Sequence, residues 1–172
     1  MQSRYEKYII RKPAVLAGIA ADGTVKFKVP EGTIPIQDET TTGPRLIFSG
    51  DFVKEASTKV EYGFIMQDTT LLSRTGDFGA HKHDYAEIFL FFGNNPSDTA
   101  YLGAEGEFWL DEGERLEKIK FTNSCSVYVP PNIAHFPLFF RNVKSPVMMG
   151  VVVPKVGDLK NVPVSRSGQL TK

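Results

Sequence analysis

The chain has 172 residues, of which 41 % are hydrophobic and 23 % are charged, so we expect one globular domain with its own core. Twenty basic residues balance twenty acidic ones, which excludes a protein-wide attraction to nucleic acid or to an anionic membrane. The first residues lack an apolar signal-peptide core, no window reaches the ~20 apolar residues of a membrane span, and a single cysteine excludes an internal disulfide. We therefore expect a cytoplasmic protein.

Short apolar segments separated by glycine- and proline-containing turns follow one another along the chain, and helical periodicity is rare. The segments are rich in Val, Ile, Phe and Tyr, which favour strands. The predicted strands are, in chain order, KYIIRK, AVLAGIA, TVKFKV, PRLIFSG, VEYGFIMQD, EIFLFFG, GEFWLD, EKIKFT, SVYVP, FPLFFRN and PVMMGVVV. Only DFVKEAS, at 51–57, and DEGERLEK, at 111–118, have room for a helical turn or two.

About ten short strands with turns between them predict an all-β sandwich or barrel with little helix. We assign residues 1–160 to a single β-barrel domain with an N-terminal strand extension. Residues 161–172, which contain the polar sequence VSRSGQLTK, are assigned to a C-terminal tail.

All three histidines lie in two short segments, GAHKHDYAEIFLFFG at 79–93 and VPPNIAHFPLFFRN at 129–142. On a strand, residues two apart project to the same face, so His81 and His83 can direct both rings at one ion. Glu87 can return a carboxylate to that face, whereas His135 must arrive from a distant strand. A lone histidine or a His-x-His pair is often an ordinary core or surface feature, but this combination favours a metal site.

The two segments resemble the two sequence motifs of the cupin superfamily. The first contains the histidine pair, the glutamate and Gly93, and the second contains Pro130 and Asn132 before the last histidine. LGAEGEFWLDEGE is similar to part of a group of small bacterial cupins of unassigned function. The resemblance implies a double-stranded β-helix, or jelly roll, in which one divalent metal is bound inside the barrel by His81, His83, Glu87 and His135.

The second segment also departs from the cupin motif. Asn132 stands where the family usually has glycine, which is physically reasonable because asparagine tolerates a left-handed backbone. Phe139 replaces the final asparagine of the motif, which puts in doubt a polar role for that position. Neither change removes a predicted metal ligand.

Three imidazoles and one carboxylate suit Fe(II), Mn(II), Ni(II), Co(II) or Zn(II). Octahedral iron, manganese or nickel would keep two positions for substrate or dioxygen, whereas tetrahedral zinc would be closed by the same four ligands. We therefore favour Fe(II), Mn(II) or Ni(II) and an enzyme: a dioxygenase, hence an oxidoreductase, or a lyase or isomerase that works through a metal-bound enolate. Two alternatives remain open: a sensor or carrier that binds a small ligand without turnover, and a purely structural metal site.

Strand alternation predicts an apolar wall next to the metal, formed by Phe89, Phe91, Pro137 and Phe139. Polar residues near the motifs are weaker candidates for contacts with a substrate, and none is assigned a catalytic role. These are Tyr85, Arg141, Gln67, Tyr62 and Arg74. Glu105 and Glu107 are expected on a solvated strand face, and Cys125 is expected to be a buried apolar side chain.

The expected partner is a small-molecule substrate or ligand, since no segment predicts binding to nucleic acid or to a membrane. By resemblance to small cupins we expect a homodimer. It would form through sheet edges or through exchange of the amino-terminal KYIIRK strand.

Overall fold

The computed structural model describes residues 4–32, 40–71, 79–112, 115–155 and 160–164. Within these ranges the chain forms thirteen strands and one short 3-10 helix, which confirms the all-β prediction. No helix in the described ranges is long and apolar enough to cross a membrane. The elements are η1 Glu6–Tyr8, β1 Ala14–Ile19, β2 Val25–Lys28, β3 Arg45–Phe48, β4 Lys59–Ile65, β5 Thr69–Leu71, β6 His81–Lys82, β7 Glu87–Phe92, β8 Tyr101–Glu112, β9 Arg115–Asn123, β10 Cys125–Val129, β11 Ala134–Arg141, β12 Val147–Val153 and β13 Val162–Pro163.

The strands form two antiparallel sheets with the core between them. One sheet has the order β10-β7-β12-β4-β3-β1-β2, and the other has the order β13-β6-β11-β8-β9, with β5 also paired to β11. Phenyl rings from both sheets pack together: the ring centroids of Phe89 and Phe108 lie 5.0 Å apart, and those of Phe91 and Phe140 lie 5.8 Å apart. The arrangement is the predicted jelly roll.

The strand prediction for KYIIRK is wrong. Residues Glu6–Tyr8 form a 3-10 turn, and the first strand begins at Ala14. Tyr8 and Ile9 are 46 % and 50 % exposed, so their apolar side chains have no sheet to pack against in the described ranges. The described residues of DEGERLEK lie on β8 and β9, whereas DFVKEAS contains hydrogen-bonded turns.

Two short strands, β5 and β13, have no counterpart in the sequence prediction, because two or three residues carry no detectable alternation. The strand expected at His81 and His83 is β6, which ends at Lys82. Strand β13 pairs with β6 and lies at the start of the segment assigned to the polar tail. Residues 165–172 of that tail lie outside the described residues. The division into a domain of 1–160 and a tail of 161–172 stays a prediction.

Strand β11 contains a bulge that decides which of its side chains face inward. Its register with β8 shifts between His135 and Leu138, so that two residues of β11 lie opposite one residue of β8. Phe136, inside the bulge, has a φ of 75°. His135 and Phe136 are consecutive and both buried, and alternation then resumes one residue out of phase. Phe139 is therefore only partly buried, and its ring lies 5.4 Å from the Trp109 ring on the outer side.

Candidate metal centre

The three histidines and Glu87 come together between the two sheets. His81 begins β6, His83 follows that strand, and Glu87 begins β7. His135 lies directly opposite His81, because β6 and β11 are paired there. The backbone N–H of Asn132 donates to the His83 carbonyl at 2.7 Å, with Asn132 at a left-handed φ of 66°, so the two sequence segments are joined next to the site.

The four polar side chains are close enough for a single ion. One ring nitrogen from each histidine lies within 4.8 Å of the others. The Nε2 atoms of His83 and His135 lie 3.4 Å and 3.3 Å from the same Glu87 carboxylate oxygen, Oε2. All four side chains are buried. The three histidines thus form a group that could hold a metal ion, with a carboxylate beside it.

Backbone carbonyls fix the orientation of two of these rings. Nδ1 of His83 lies 2.7 Å from the Tyr85 carbonyl oxygen, and Nδ1 of His135 lies 3.1 Å from that of Ile133. Because a carbonyl only accepts hydrogen bonds, each Nδ1 carries a hydrogen, and in the neutral ring Nε2 is the nitrogen that can bind a metal. Both Nε2 atoms are buried without a hydrogen-bond partner in the described ranges. A buried unpartnered polar atom costs about 1–3 kcal/mol, and a bound metal would remove that cost.

The electrostatics of the site favour the protonation states that metals require. Burial, followed by the charge of His135, lowers the pKa of His81 to about 3, so its imidazole is neutral near pH 7. Burial raises the pKa of Glu87, but the His135 and His83 rings, when they carry a proton on Nε2, lower it by more, so the net pKa is below the ordinary value. Neutral imidazoles and an ionised carboxylate are the forms that bind a metal.

A cavity of about 160 Å³ adjoins this group, and most of its wall is apolar. His81 and Glu87 contribute to the wall, next to Phe89 and Phe136. The rest of the apolar wall comes from β1, β2, β4, β5 and β12, with side chains such as Leu16, Phe27, Ile65, Leu71, Met149 and Val151.

The predicted wall residues have different positions. Phe89 lines the cavity as predicted, whereas Phe91 lies in the core with 0 % exposure and does not line it. Pro137 and Phe139 do not line it either, because the β11 bulge places Phe136 beside the site instead.

Two charged cavity residues, Lys59 and Glu61, were not found from the sequence. They lie two positions apart on β4, and Lys59 Nζ is 3.0 Å from Glu61 Oε1. Their side chains are only 5 % and 13 % exposed. Burial raises the pKa of Glu61, Lys59 opposes that shift, and the charge of Glu87 adds to it. The signal was the alternation in KVEYGFI, but the predicted strand began at Val60 and so left out Lys59.

No protein-family model and no curated protein matches the sequence. Among solved structures, the fold is similar to a variant of oxalate decarboxylase from Bacillus subtilis (TM-score 0.52, 11 % identity, 76 % of this chain and 29 % of that chain covered). It is also similar to CapF from Staphylococcus aureus (0.51, 10 %, 77 % and 32 %) and to vicilin from hazelnut, Corylus avellana (0.50, 6 %, 77 % and 33 %). These neighbours are cupin proteins. The chain has the cupin fold. It spans about a third of the length of these neighbours, and identities this low show a common fold alone.

Among the weaker polar candidates that the structure describes, Tyr85 alone lines the cavity of this domain. Its ring stacks on that of His83 with the centroids 3.8 Å apart, and its hydroxyl donates to Asn161 Oδ1 at 3.4 Å. Burial raises the pKa of the Tyr85 hydroxyl, so it stays protonated near neutral pH. Tyr85 therefore supports His83 from one side and faces the cavity from the other.

The remaining candidates lie away from the site. Arg141 is exposed and donates to the Thr69 carbonyl at 2.7 Å, so it does not face the cavity. Gln67 and Tyr62 do not line it, and Arg74 lies outside the described residues. Glu105 is exposed on β8, as predicted, and accepts from Asn142, whereas Glu107 is half-buried and accepts from Trp109. Neither residue lines the cavity. Cys125 is partly buried against the core.

Proposed function

We propose that this cupin domain is a metal-dependent enzyme that acts on a small organic substrate in the cavity. One divalent metal ion would be held by His81, His83, Glu87 and His135. The observation that supports the proposal is the convergence of three buried imidazoles and a carboxylate, with two unpartnered Nε2 atoms, beside an apolar cavity.

A divalent ion at this position supplies Lewis acidity and a template for a substrate oxygen, and Fe(II) adds the capacity to bind dioxygen. Fe(II), Mn(II) and Ni(II) are favoured because four protein ligands leave open positions on an octahedral ion, and Zn(II) and Co(II) also suit the donor set. Around that position, the carbonyls of Tyr85 and Ile133 hold two imidazoles in the ligand tautomer. Phe89 and Phe136 exclude water from the same space.

Two reaction classes are compatible with these surroundings. One is oxygenation, as in a dioxygenase, and the other is lyase or isomerase chemistry that begins by removing a proton next to a carbonyl group. One structural neighbour is named oxalate decarboxylase, which is consistent with a small carboxylate as substrate. Because that neighbour is 11 % identical, it shows a common fold, and the class of chemistry rests on the residues of this chain.

Metal analysis tests the centre directly. We expect wild-type protein, stripped and then titrated with Mn(II) or Fe(II), to take up about one equivalent, and the His83→Ala variant to take up far less. Glu105→Ala is the matched control, since Glu105 is an exposed acidic residue away from the cavity. A wild type that takes up no metal, or a His83→Ala variant with unchanged uptake, would remove the proposed centre.

Activity assays separate the enzyme from the alternatives. Oxygen consumption and product formation are measured over a panel of small carboxylates and catechols, with the iron, manganese and nickel forms. Turnover of any member supports the enzyme. Ligand binding without turnover over the whole panel would favour a sensor or carrier, and a tetrahedral zinc ion without a ligand position would favour a structural site.

A homodimer and a cytoplasmic location are further proposals that follow from the sequence. The outermost strands of the seven-stranded sheet are β2 and β10, and Tyr128 on β10 is 59 % exposed, which makes β10 the edge we propose for pairing. Exchange of the KYIIRK segment as a strand has lost its basis, because that segment is not a strand. Light scattering that gives a monomer at micromolar concentration would contradict the dimer.

A further inference from the structure

The buried pair formed by Lys59 and Glu61 has unused hydrogen-bonding capacity. An ammonium group carries three N–H donors. Lys59 donates one hydrogen bond, to Glu61 at 3.0 Å, and has no second acceptor within the described ranges. Removing two charges from water is unfavourable unless further hydrogen bonds complete both groups. A ligand with a hydrogen-bond acceptor could bind the remaining N–H donors of Lys59.

The pair faces the same cavity as the metal centre. Lys59, Glu61, His81 and Glu87 all contribute to its wall, and Lys59 is close enough for its charge to act on Glu87. The wall between these polar groups is mainly apolar. A ligand in the cavity would therefore meet an ammonium group, apolar side chains and the metal centre.

The charges of the cavity wall indicate the sign of that ligand. Counted by formal charge, the described wall contains one ammonium group, that of Lys59, and two carboxylates, those of Glu61 and Glu87. The wall then has a net charge of one negative unit, and a bound divalent metal ion would change it to one positive unit. A ligand with a single carboxylate would neutralise this excess of positive charge in a space where unbalanced charge is costly.

We propose that Lys59 binds the carboxylate of a small monocarboxylic acid in this cavity and that Glu61 balances its charge when no acid is bound. A second oxygen group of the acid, such as a keto or hydroxyl oxygen, is directed towards the metal centre. This second contact and the excess of positive charge both depend on the proposed function. The contact with Lys59 requires no metal and can be tested without one.

The test compares acids with their uncharged amides. Binding of pyruvate, lactate, pyruvamide and lactamide is measured by titration calorimetry, on protein treated with a chelator and on protein loaded with Mn(II). We expect at least one acid to bind the wild type about tenfold or more tightly than its amide, since a desolvated charge pair is usually stronger than a neutral contact. In Lys59→Met the acid should lose about tenfold or more in affinity, whereas the amide should be unaffected.

Two further variants keep the test decisive. The double variant Lys59→Met/Glu61→Leu replaces the pair by apolar side chains and should fold even where the single variant does not. It should also lose the preference for acids. The matched control is Lys7→Met, which removes the lysine of an exposed pair with Glu55, 3.3 Å apart, and should leave acid binding unchanged.

Glu61→Gln, unlike Lys59→Met, should not weaken the binding of acids. The glutamine oxygen can still accept from Lys59, but the competing negative charge is gone, so acids should bind as tightly as to the wild type or more tightly. The proposal is overturned if acids bind Lys59→Met or the double variant as they bind the wild type, or if Glu61→Gln weakens their binding. Equal binding of acids and amides, or no acid bound more tightly than about 10 mM, would also overturn it.

Metal uptake separates this inference from the proposed function. Lys59 is not one of the proposed ligands, so the variants Lys59→Met and Lys59→Met/Glu61→Leu should take up as much Mn(II) as the wild type. If the wild type takes up no metal, the proposed function fails. The comparison of acids with amides on chelator-treated protein then still decides whether Lys59 binds carboxylates.

Discussion

Replacing His81 by phenylalanine should distinguish the contribution of His81 to metal binding from its contribution to core packing. The His81 ring stacks on Phe136, with the centroids 5.4 Å apart and the planes 22° apart, so an aromatic ring at this position keeps that contact. The nitrogens close to the Glu87 carboxylate belong to His83 and His135 and remain in place. The substitution adds apolar surface and removes at most one hydrogen bond, worth about 0.5–1.5 kcal/mol. The metal-free protein should therefore change in stability by no more than about 1.5 kcal/mol.

The metal-loaded protein should respond differently. At a free metal concentration of about 100 times the dissociation constant, binding stabilises the wild type by about 2.7 kcal/mol. Loss of a residue that only hydrogen-bonds to a metal ligand lowers metal affinity by about 10–100-fold. Loss of the ligand His81 itself should therefore lower the metal affinity of this site by about 100-fold or more. At the same metal concentration the remaining stabilisation would be about 0.4 kcal/mol. For a chain of this size the difference corresponds to about 5–9 °C in melting temperature.

Equilibrium urea denaturation and calorimetry, each with metal and with a chelator, measure both quantities on the same two proteins. The reasoning is refuted if metal stabilises His81→Phe as much as it stabilises the wild type. It is also refuted if the chelated variant loses more than about 3 kcal/mol, a loss typical of disrupted core packing. In that case the burial of His81 would reflect packing rather than metal binding.

Three further predictions are checked by equilibrium urea denaturation of chelated protein. Lys59→Met alone should lower the free energy of unfolding by about 3–5 kcal/mol because it leaves Glu61 buried without its counter-charge. Lys59→Met/Glu61→Leu should leave it nearly unchanged. Equal losses in the two variants would contradict a coupled pair. Phe140→Ala should cost about 3–5 kcal/mol, and Phe139→Ala less than half of that, since only Phe140 is fully buried; the reverse order would contradict the observed bulge. Asn132→Gly should be close to neutral, whereas Asn132→Val should cost about 1–2 kcal/mol at a φ of 66°; a neutral valine would contradict the left-handed backbone.

The sequence was informative where the physical rule is local. Side chains two apart share a strand face, so His81 and His83 could be placed at one site without knowledge of the sheets. Asparagine is one of the few residues that tolerate a left-handed backbone, and Asn132 does adopt it. The approach of His135 followed from the resemblance to cupins, and the pairing of β6 with β11 explains it physically.

The sequence failed where the outcome depends on distant partners. KYIIRK has residue types that favour a strand, but no described strand pairs with it. Lys59 precedes the predicted strand, at a position where a charged residue is ordinarily exposed. Its burial becomes evident only when β4 is placed between β3 and β12 and its side chain meets the cavity.

The bulge of β11 explains how one strand serves both the metal centre and the core. A straight strand that kept His135 in place would turn Leu138 and Phe140 outward and bring Phe139 and Arg141 inward. That arrangement would expose two side chains that are now 0 % exposed and would bury an arginine. The extra residue lets His135 face the centre and places Phe136 beside the cavity, while the following side chains return to the core. The bulge made the prediction that Phe139 lines the cavity wrong. It also allows β11 to carry both a proposed metal ligand and side chains of the core.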